Sequence, residues 1–249
     1  MIAKRLDTAG WMRRAQPLLG TLVEVAAPHR ADAAAAVAAA FTAIREAQAR
    51  LSRFEPHSDL SRFHALQCGE WIDLHPITHT VLAAAQQLQQ ASDRLFDISG
   101  GAAPDGWALD GHRLLKLDPH IRLDLGGIGK GHAVDLAVAA LQQAGCAAGW
   151  VNAGGDLRCF GAVELPIQLR DEATGGVQLF AHLQDGAFAT SALGPGRRSQ
   201  LTGAAGQNCH VSVAAPACLW ADALTKVVAA SGRADHPLLA HHGARAWMH

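Results

Sequence analysis

Hydrophobic positions recur along this chain with two different periods. Apolar residues spaced by three and four predict a long helix near 31–52 and a second over 76–92. The same spacing predicts helices over 132–144 and 219–231. Period-two alternation predicts strands at 21–27, near 113–117 and 121–125, and around 148–152, 157–160 and 164–170. It predicts further strands at 177–183, 187–191 and 210–216, and the closing segment 244–249 reads as one more. Strands in hairpin-like runs between helices indicate an α+β fold with a mixed, mostly antiparallel sheet. Residues 100–111 read as a loop. No repeat or low-complexity linker divides the chain, so one domain over 1–249 is expected.

The most informative stretch is IRLDLGGIGKGHAVD, 121–135. The alternating run Ile121, Leu123, Leu125 stops at Gly126 and Gly127, and Gly129 and Gly131 bracket Lys130. A strand, a glycine turn and a helix N-terminus expose backbone N–H groups, to which the helix dipole and the Lys130 ammonium add positive charge. That is an anion cradle suited to phosphate, or else a tight turn that needs glycine for its backbone angles. The spacing is neither a Walker loop nor a dinucleotide fingerprint. A second glycine turn, Asn152-Ala-Gly154-Gly155-Asp156, joins two strand runs. The helix ADALTKVVAASG carries Asp222, Thr225 and Lys226 on adjoining turns. Asp222 and Thr225 share a face and offer oxygen to a hard cation such as magnesium, or Asp222 simply favours an early helix turn.

Composition narrows the classes. With 249 residues and 49% hydrophobic content the chain can bury a full core. A formal charge of −1 without a basic run argues against nucleic acid as a partner. The alanine-rich stretch near 31–51 carries Arg45, Glu46 and Arg50, so it reads as an amphipathic helix and no transmembrane segment is expected. Five cysteines without a C-x-x-C pair read as reduced thiols of an intracellular protein. His75 and His79 have zinc-helix spacing, but Pro76 lies between them and the customary glutamate is missing.

Taken in order, these segments resemble the ApbE family, the FAD:protein FMN transferases. The resemblance rests on Leu19-Gly20-Thr21, on Leu51-Ser52-Arg53-Phe54 with Ser58, and on Phe96-Asp97. It continues through the 124–135 loop, Asn152–Asp156, Ala189-Thr190-Ser191 and Ala221-Asp222-Ala223-Leu224, nearly the whole chain. It implies a T-fold-like α+β domain. It also implies magnesium-dependent transfer of FMN from FAD, the donor substrate, to a Ser or Thr hydroxyl in the flavinylation motif of an acceptor protein, with release of AMP. Many relatives are exported lipoproteins. No apolar leader or lipobox cysteine is seen here, so a cytoplasmic protein is expected, or a periplasmic one if the chain has been trimmed.

Carried over position by position, the resemblance places Phe54, Leu95, Phe96 and Asp97 at the flavin. Phe54 has the alternative of a core residue, and Asp97 that of a turn cap. Gly126, Gly127, Lys130, His132 and Leu201 fall at the phosphates and adenosine. Asp222, Thr225 and the carbonyl of Gly129 fall at magnesium. Asp222, Lys226 and Thr190 fall at the reacting groups. Two departures stand out. The position four residues after Asp222, a threonine in relatives, is Lys226, with Thr225 one residue earlier, a rotation of about a quarter turn on a helix. Lys226 then either takes the place of magnesium or binds phosphate. The His-x-x-Asp-Pro segment of relatives is replaced by Ser199-Gln-Leu-Thr-Gly-Ala-Ala-Gly206. The alternatives to a transferase are therefore an FAD-binding module with weak or lost catalysis and an FAD pyrophosphatase.

Overall fold

A computed structural model describes residues 10–170, 176–193 and 209–249. In chain order the elements are β1 (Trp11–Leu18), β2 (Thr21–Pro28), α1 (Ala33–Leu51), α2 (Asp59–Ala65), β3 (Trp71–Asp73), α3 (Pro76–Ala91), β4 (Trp107–Asp110) and β5 (Arg113–Lys116). They continue with α4 (Gly129–Gln143), β6 (Gly149–Ala153), β7 (Asp156–Arg170), β8 (Val177–Leu193), β9 (Cys209–Ala215), α5 (Cys218–Ser231), α6 (Pro237–His241) and β10 (Arg245–Met248). Seven strands form one sheet in the order β1-β2-β6-β7-β8-β9-β10, and β3-β5-β4 form a small second sheet. The described strand pairings are all antiparallel. The α+β class read from the sequence is the one that folds.

Alternation along the strands assigns the two faces of the large sheet. Val23, Val25, Val151, Ala187, Ala189, Val211 and Val213 join the main core with the helices. Ala26, Trp150, Leu157, Cys159 and Phe188 belong to a smaller cluster with Trp11 and Trp247. The helix α1 buries Ala33, Ala36, Val37, Ala40, Phe41, Ile44, Ala47 and Leu51, a stripe at three- and four-residue spacing. Its many alanines favour helix and let a neighbour approach closely. That neighbour is α4, which packs on α1 along one side and on α5 along the other. At the α4–α5 crossing, a Cβ on Gly131 would stand 2.2 Å from the carbonyl oxygen of Cys218. Asp135, one turn further along α4, accepts the N–H groups of Cys218 and Leu219, both at 2.9 Å. It thereby caps the orphan donors that open α5.

Three expectations are corrected. Residues 121–125 belong to no strand and pair in no ladder. Ile121, Leu123 and Leu125 are buried as the alternation requires, but the backbone is held singly: Leu123 N–H donates to His64 Nε2 (2.9 Å) and Asp124 N–H to the Ile98 carbonyl (2.8 Å). Alternation reports burial of every second residue, not strand pairing. The short runs at 157–160 and 164–170 are one strand, β7, as those at 177–183 and 187–191 are one strand, β8; register shifts between Cys159 and Glu164 and between Ile167 and Gln168 absorb the irregularity. The 100–111 segment contains β4, which turns at Gly111 (φ 56°) into β5. No helix among the described residues is long and apolar enough to cross a membrane.

Gly131→Ala tests the α4–α5 contact. Alanine favours helix over glycine by about 1 kcal/mol, but its methyl group would have to push apart two backbones at a cost of about 1–3 kcal/mol or more. The contact should win, lowering the urea midpoint. A variant more stable than wild type would mean that the helices do not touch at this glycine.

Candidate functional site

Four charged side chains meet where α4, α5 and the β6–β7 turn converge. Lys130 lies in the first turn of α4, which begins three residues before the predicted start. Its ammonium is paired with Asp156 Oδ2 and lies 3.7 Å from Asp222 Oδ2. Asp156 opens β7 just after Gly154 (φ 66°) and Gly155 (φ 104°), and the Gly155 N–H donates to Asn152 Oδ1 at 3.0 Å. This is the asparagine-glycine turn expected from the sequence. A Cβ on Gly154 would meet Thr21 Oγ1 at 2.3 Å, so the Gly20-Thr21 pair docks on the same turn.

Asp222 is fully buried on α5. Its Oδ1 accepts from Lys226 Nζ at 2.5 Å and its Oδ2 from the Gly131 N–H at 3.2 Å. Lys226 Nζ also donates to the Asp222 carbonyl (3.1 Å) and to Ser191 Oγ of β8 (2.9 Å). Thr225 Oγ1 donates to the Asp222 carbonyl (2.6 Å) and shares a hydrogen bond with Ser191 Oγ (2.8 Å).

Burial and the neighbouring Asp222 charge outweigh the pull of the lysines on Asp156 and push its pKa up to about 6. Burial also works against charge on Asp222, but Lys226 and then Lys130 overcome it and hold that carboxyl below its ordinary value. Burial likewise opposes charge on Lys130, and Asp222 with Asp156 reverses the effect, raising its pKa.

A cavity of about 400 Å³ opens beside this cluster, within the usual range for small-ligand sites. Gln48 and Leu51 from the end of α1, the Arg53–Phe54 corner, Asp124, Gly126, Gly129 and Lys130 line it. Phe54 is 81% exposed, and the Arg53 guanidinium stacks on its ring at 4.7 Å. The glycine turn, a lysine at a helix N-terminus and a projecting aromatic ring therefore share one hollow.

The family model for the ApbE family matches residues 19–114 and 104–248. This chain belongs to the ApbE family. Solved structures agree on the fold. The Thermotoga maritima ApbE protein is 20% identical with a TM-score of 0.81, covering 96% of this chain and 94% of that one. The flavin transferase ApbE from Vibrio cholerae is 20% identical at a TM-score of 0.78, with coverage of 96% and 93%. The Pseudomonas stutzeri flavinyl transferase ApbE, in its apo form, is 21% identical at 0.77, with coverage of 96% and 90%. No curated protein matches the chain.

Against this ApbE frame the residues singled out from sequence divide. Gly126, Gly129, Lys130 and Phe54 line the cavity. Gly127 lies against the stem of Lys226, where a Cβ would come within 3.2 Å of Cε. Phe96 is buried in the main core and Leu95 packs against it. Asp97 is used within its own turn, accepting from Ser99 N–H (2.8 Å), Ser99 Oγ (2.8 Å) and Gly101 N–H (2.9 Å). His132 is buried and its Nε2 has no hydrogen-bond partner; burial lowers its pKa. Thr190 shares a hydrogen bond with Ser212 (2.9 Å), and it is the adjacent Ser191 that reaches the charged cluster. Leu201 and the 199–206 segment lie outside the described residues. His75 caps α3, its Nδ1 accepting from Ile77 N–H, and among the described residues no three His, Cys, Asp or Glu side chains form a metal-binding group.

Sequence reasoning gave no role to Asp156 or Asp135. Both close quoted motifs, and a charged residue ending a glycine turn or a buried helix turn was the available signal. The magnesium set meets a specific obstacle: both Asp222 oxygens and the Thr225 hydroxyl are already hydrogen-bonded within the protein. These residues as arranged do not fit a divalent cation, because the Lys226 ammonium holds the oxygen that would face it.

Titration tests the cluster. A carboxyl whose pKa is raised by folding binds its proton more tightly in the native state, so the contribution of Asp156 falls as pH rises from about 4 to about 6. Asp222 works in the opposite sense and lower: its contribution is complete above the ordinary carboxylate value and lost as pH falls through its depressed one. Urea unfolding across the upper window should show the stability of wild type minus Asp156→Asn shrinking with pH. A constant difference would mean that Asp156 titrates normally.

Proposed function

We propose that this ApbE-family chain is a flavin transferase that moves FMN from FAD to a Ser or Thr hydroxyl of an acceptor protein and releases AMP. The observation that carries this reading is the cavity in which the Gly126–Lys130 turn and the exposed Phe54 ring face a common space. An anionic diphosphate suits Lys130 at a helix N-terminus, and a planar ring system suits an exposed aromatic edge. The Vibrio cholerae and Pseudomonas stutzeri relatives, named as flavin and flavinyl transferases, lend support through a shared family and fold.

The chemistry balances simply. The acceptor oxygen bonds to the FMN phosphorus, the bond from that phosphorus to the bridging oxygen breaks, and its electron pair departs with AMP. The hydroxyl proton passes to solvent or to the released phosphate. Such transfers depend mainly on positioning and on neutralising charge. Lys130 lines the cavity beside Arg53, held by Asp156 and 3.7 Å from Asp222. A second reading, an FAD-binding module without turnover, is favoured by the saturation of Asp222 by Lys226.

The test mixes the protein with FAD and an acceptor domain bearing an Asp-x-x-[Ser/Thr]-Gly-Ala-Thr-like segment, with and without magnesium. Fluorescent flavin that stays on the acceptor in a denaturing gel is the expected outcome. AMP released without labelled acceptor would indicate a pyrophosphatase, FAD bound with neither product the binding module, and no FAD bound would end the reading. Lys130→Ala should weaken FAD binding about tenfold or more, the scale of one charge-assisted hydrogen bond. Unchanged affinity in a folded variant would remove Lys130 from the site.

A further inference from the structure

We propose that the phosphate end of this site uses the tethered ammonium of Lys226 in place of a divalent cation, so that the protein binds its diphosphate ligand without metal. The inference rests on the FAD reading above for its ligand, and on the side-chain geometry for its substance. Three oxygens converge on Lys226 Nζ: Asp222 Oδ1 at 2.5 Å, Ser191 Oγ at 2.9 Å and the Asp222 carbonyl at 3.1 Å. An ammonium has three N–H donors, so this shell is complete. A carboxylate, a hydroxyl and a carbonyl are also the oxygen types that a hard cation would recruit. Here the cation is covalently part of α5, one helical turn beyond Asp222.

The stem has been given room. Its Cε, Cγ and Cδ pass 3.2, 3.6 and 3.7 Å from where a Cβ of Gly127 would stand. The glycine turn that faces the cavity thus also forms the channel wall for this lysine. Lys226 is nearly enclosed, its side chain 8% exposed, against 34% for Lys130. The division of labour follows. Lys130 reaches the cavity, and Lys226 neutralises Asp222 from behind. Without Lys226, a fully buried Asp222 would be left to share Lys130 with Asp156, an arrangement that buried carboxylates tolerate poorly. A free divalent ion would have to displace an ammonium that never diffuses away.

Two measurements decide the matter. The first titrates Mn²⁺ into the ligand-free protein and follows free Mn²⁺ by electron paramagnetic resonance. Wild type should leave the ion free, and Lys226→Thr should bind it, with that binding lost in Lys226→Thr/Asp222→Asn. The second follows FAD affinity by flavin fluorescence in EDTA and in magnesium. Wild type should change by no more than about twofold, whereas Lys226→Thr should lose about tenfold or more in EDTA. Wild-type Mn²⁺ binding that Asp222→Asn abolishes, or a tenfold loss of wild-type FAD affinity in EDTA, would overturn the proposal. If Lys226→Thr fails to fold, the wild-type measurements still decide. If FAD does not bind under any condition, the transferase reading fails by itself, and the Mn²⁺ titration still rules on Lys226.

Discussion

The structure turns on the burial of one carboxylate. Asp222 has no solvent exposure, and a buried charge without partners would cost several kcal/mol. Its partners come from two helices. Lys226 lies one turn along α5, while the Gly131 N–H and the Lys130 ammonium belong to the first turn of α4. Satisfying Asp222 therefore fixes how α4 meets α5. The missing side chain at Gly131 permits that approach, and Asp135 reinforces it by holding the first N–H groups of α5. The cavity opens directly beside this junction, so the geometry of the site follows from the same contact that closes the core.

The sheet completes the junction from its own side. The β6–β7 turn delivers Asp156 to Lys130, and β8 delivers Ser191 to Lys226. With two aspartates and two lysines the cluster is formally neutral. Within it the pull is unequal: Asp222 is held by both lysines and keeps its charge, whereas burial, and then the facing Asp222 charge, push Asp156 up to about 6. A phosphate arriving at Lys130 would compete with Asp156 for that ammonium, which makes Asp156 the partner best suited to let go.

Much of this was legible in the sequence because it is local. The helix stripe of α1, the glycine turn before α4 and the asparagine-glycine turn before β7 each depend on residues within a few positions, and periodicity or turn chemistry reports them directly. What was not legible is what distant segments do to one another. Residues 121–125 show a strand's alternation and find no strand to pair with, because His64 and the Ile98 carbonyl take their N–H groups instead. Asp97 is quoted in a flavin-site motif, yet its oxygens are used by Ser99 and Gly101. Thr190 and Ser191 are adjacent in sequence and lie on opposite faces of β8, so only one of them can serve the cluster; nothing in the tripeptide Ala-Thr-Ser says which face is inward.

The step from Thr225 to Lys226 shows how one helical position changes chemistry. A side chain one residue on is rotated by about 100°, so the two positions beside Asp222 are not equivalent. The threonine hydroxyl turns back to the Asp222 carbonyl and to Ser191, which spends it on backbone and strand. The lysine, a full turn from Asp222, has the length and direction to reach the carboxylate itself. A hydroxyl at the lysine position would leave Asp222 Oδ1 open for an incoming ion, while an ammonium closes it with charge already in place. The residue type at position 226 thus sets what faces Asp222 Oδ1 in this structure, and the lysine stem reaches it along the open side of Gly127.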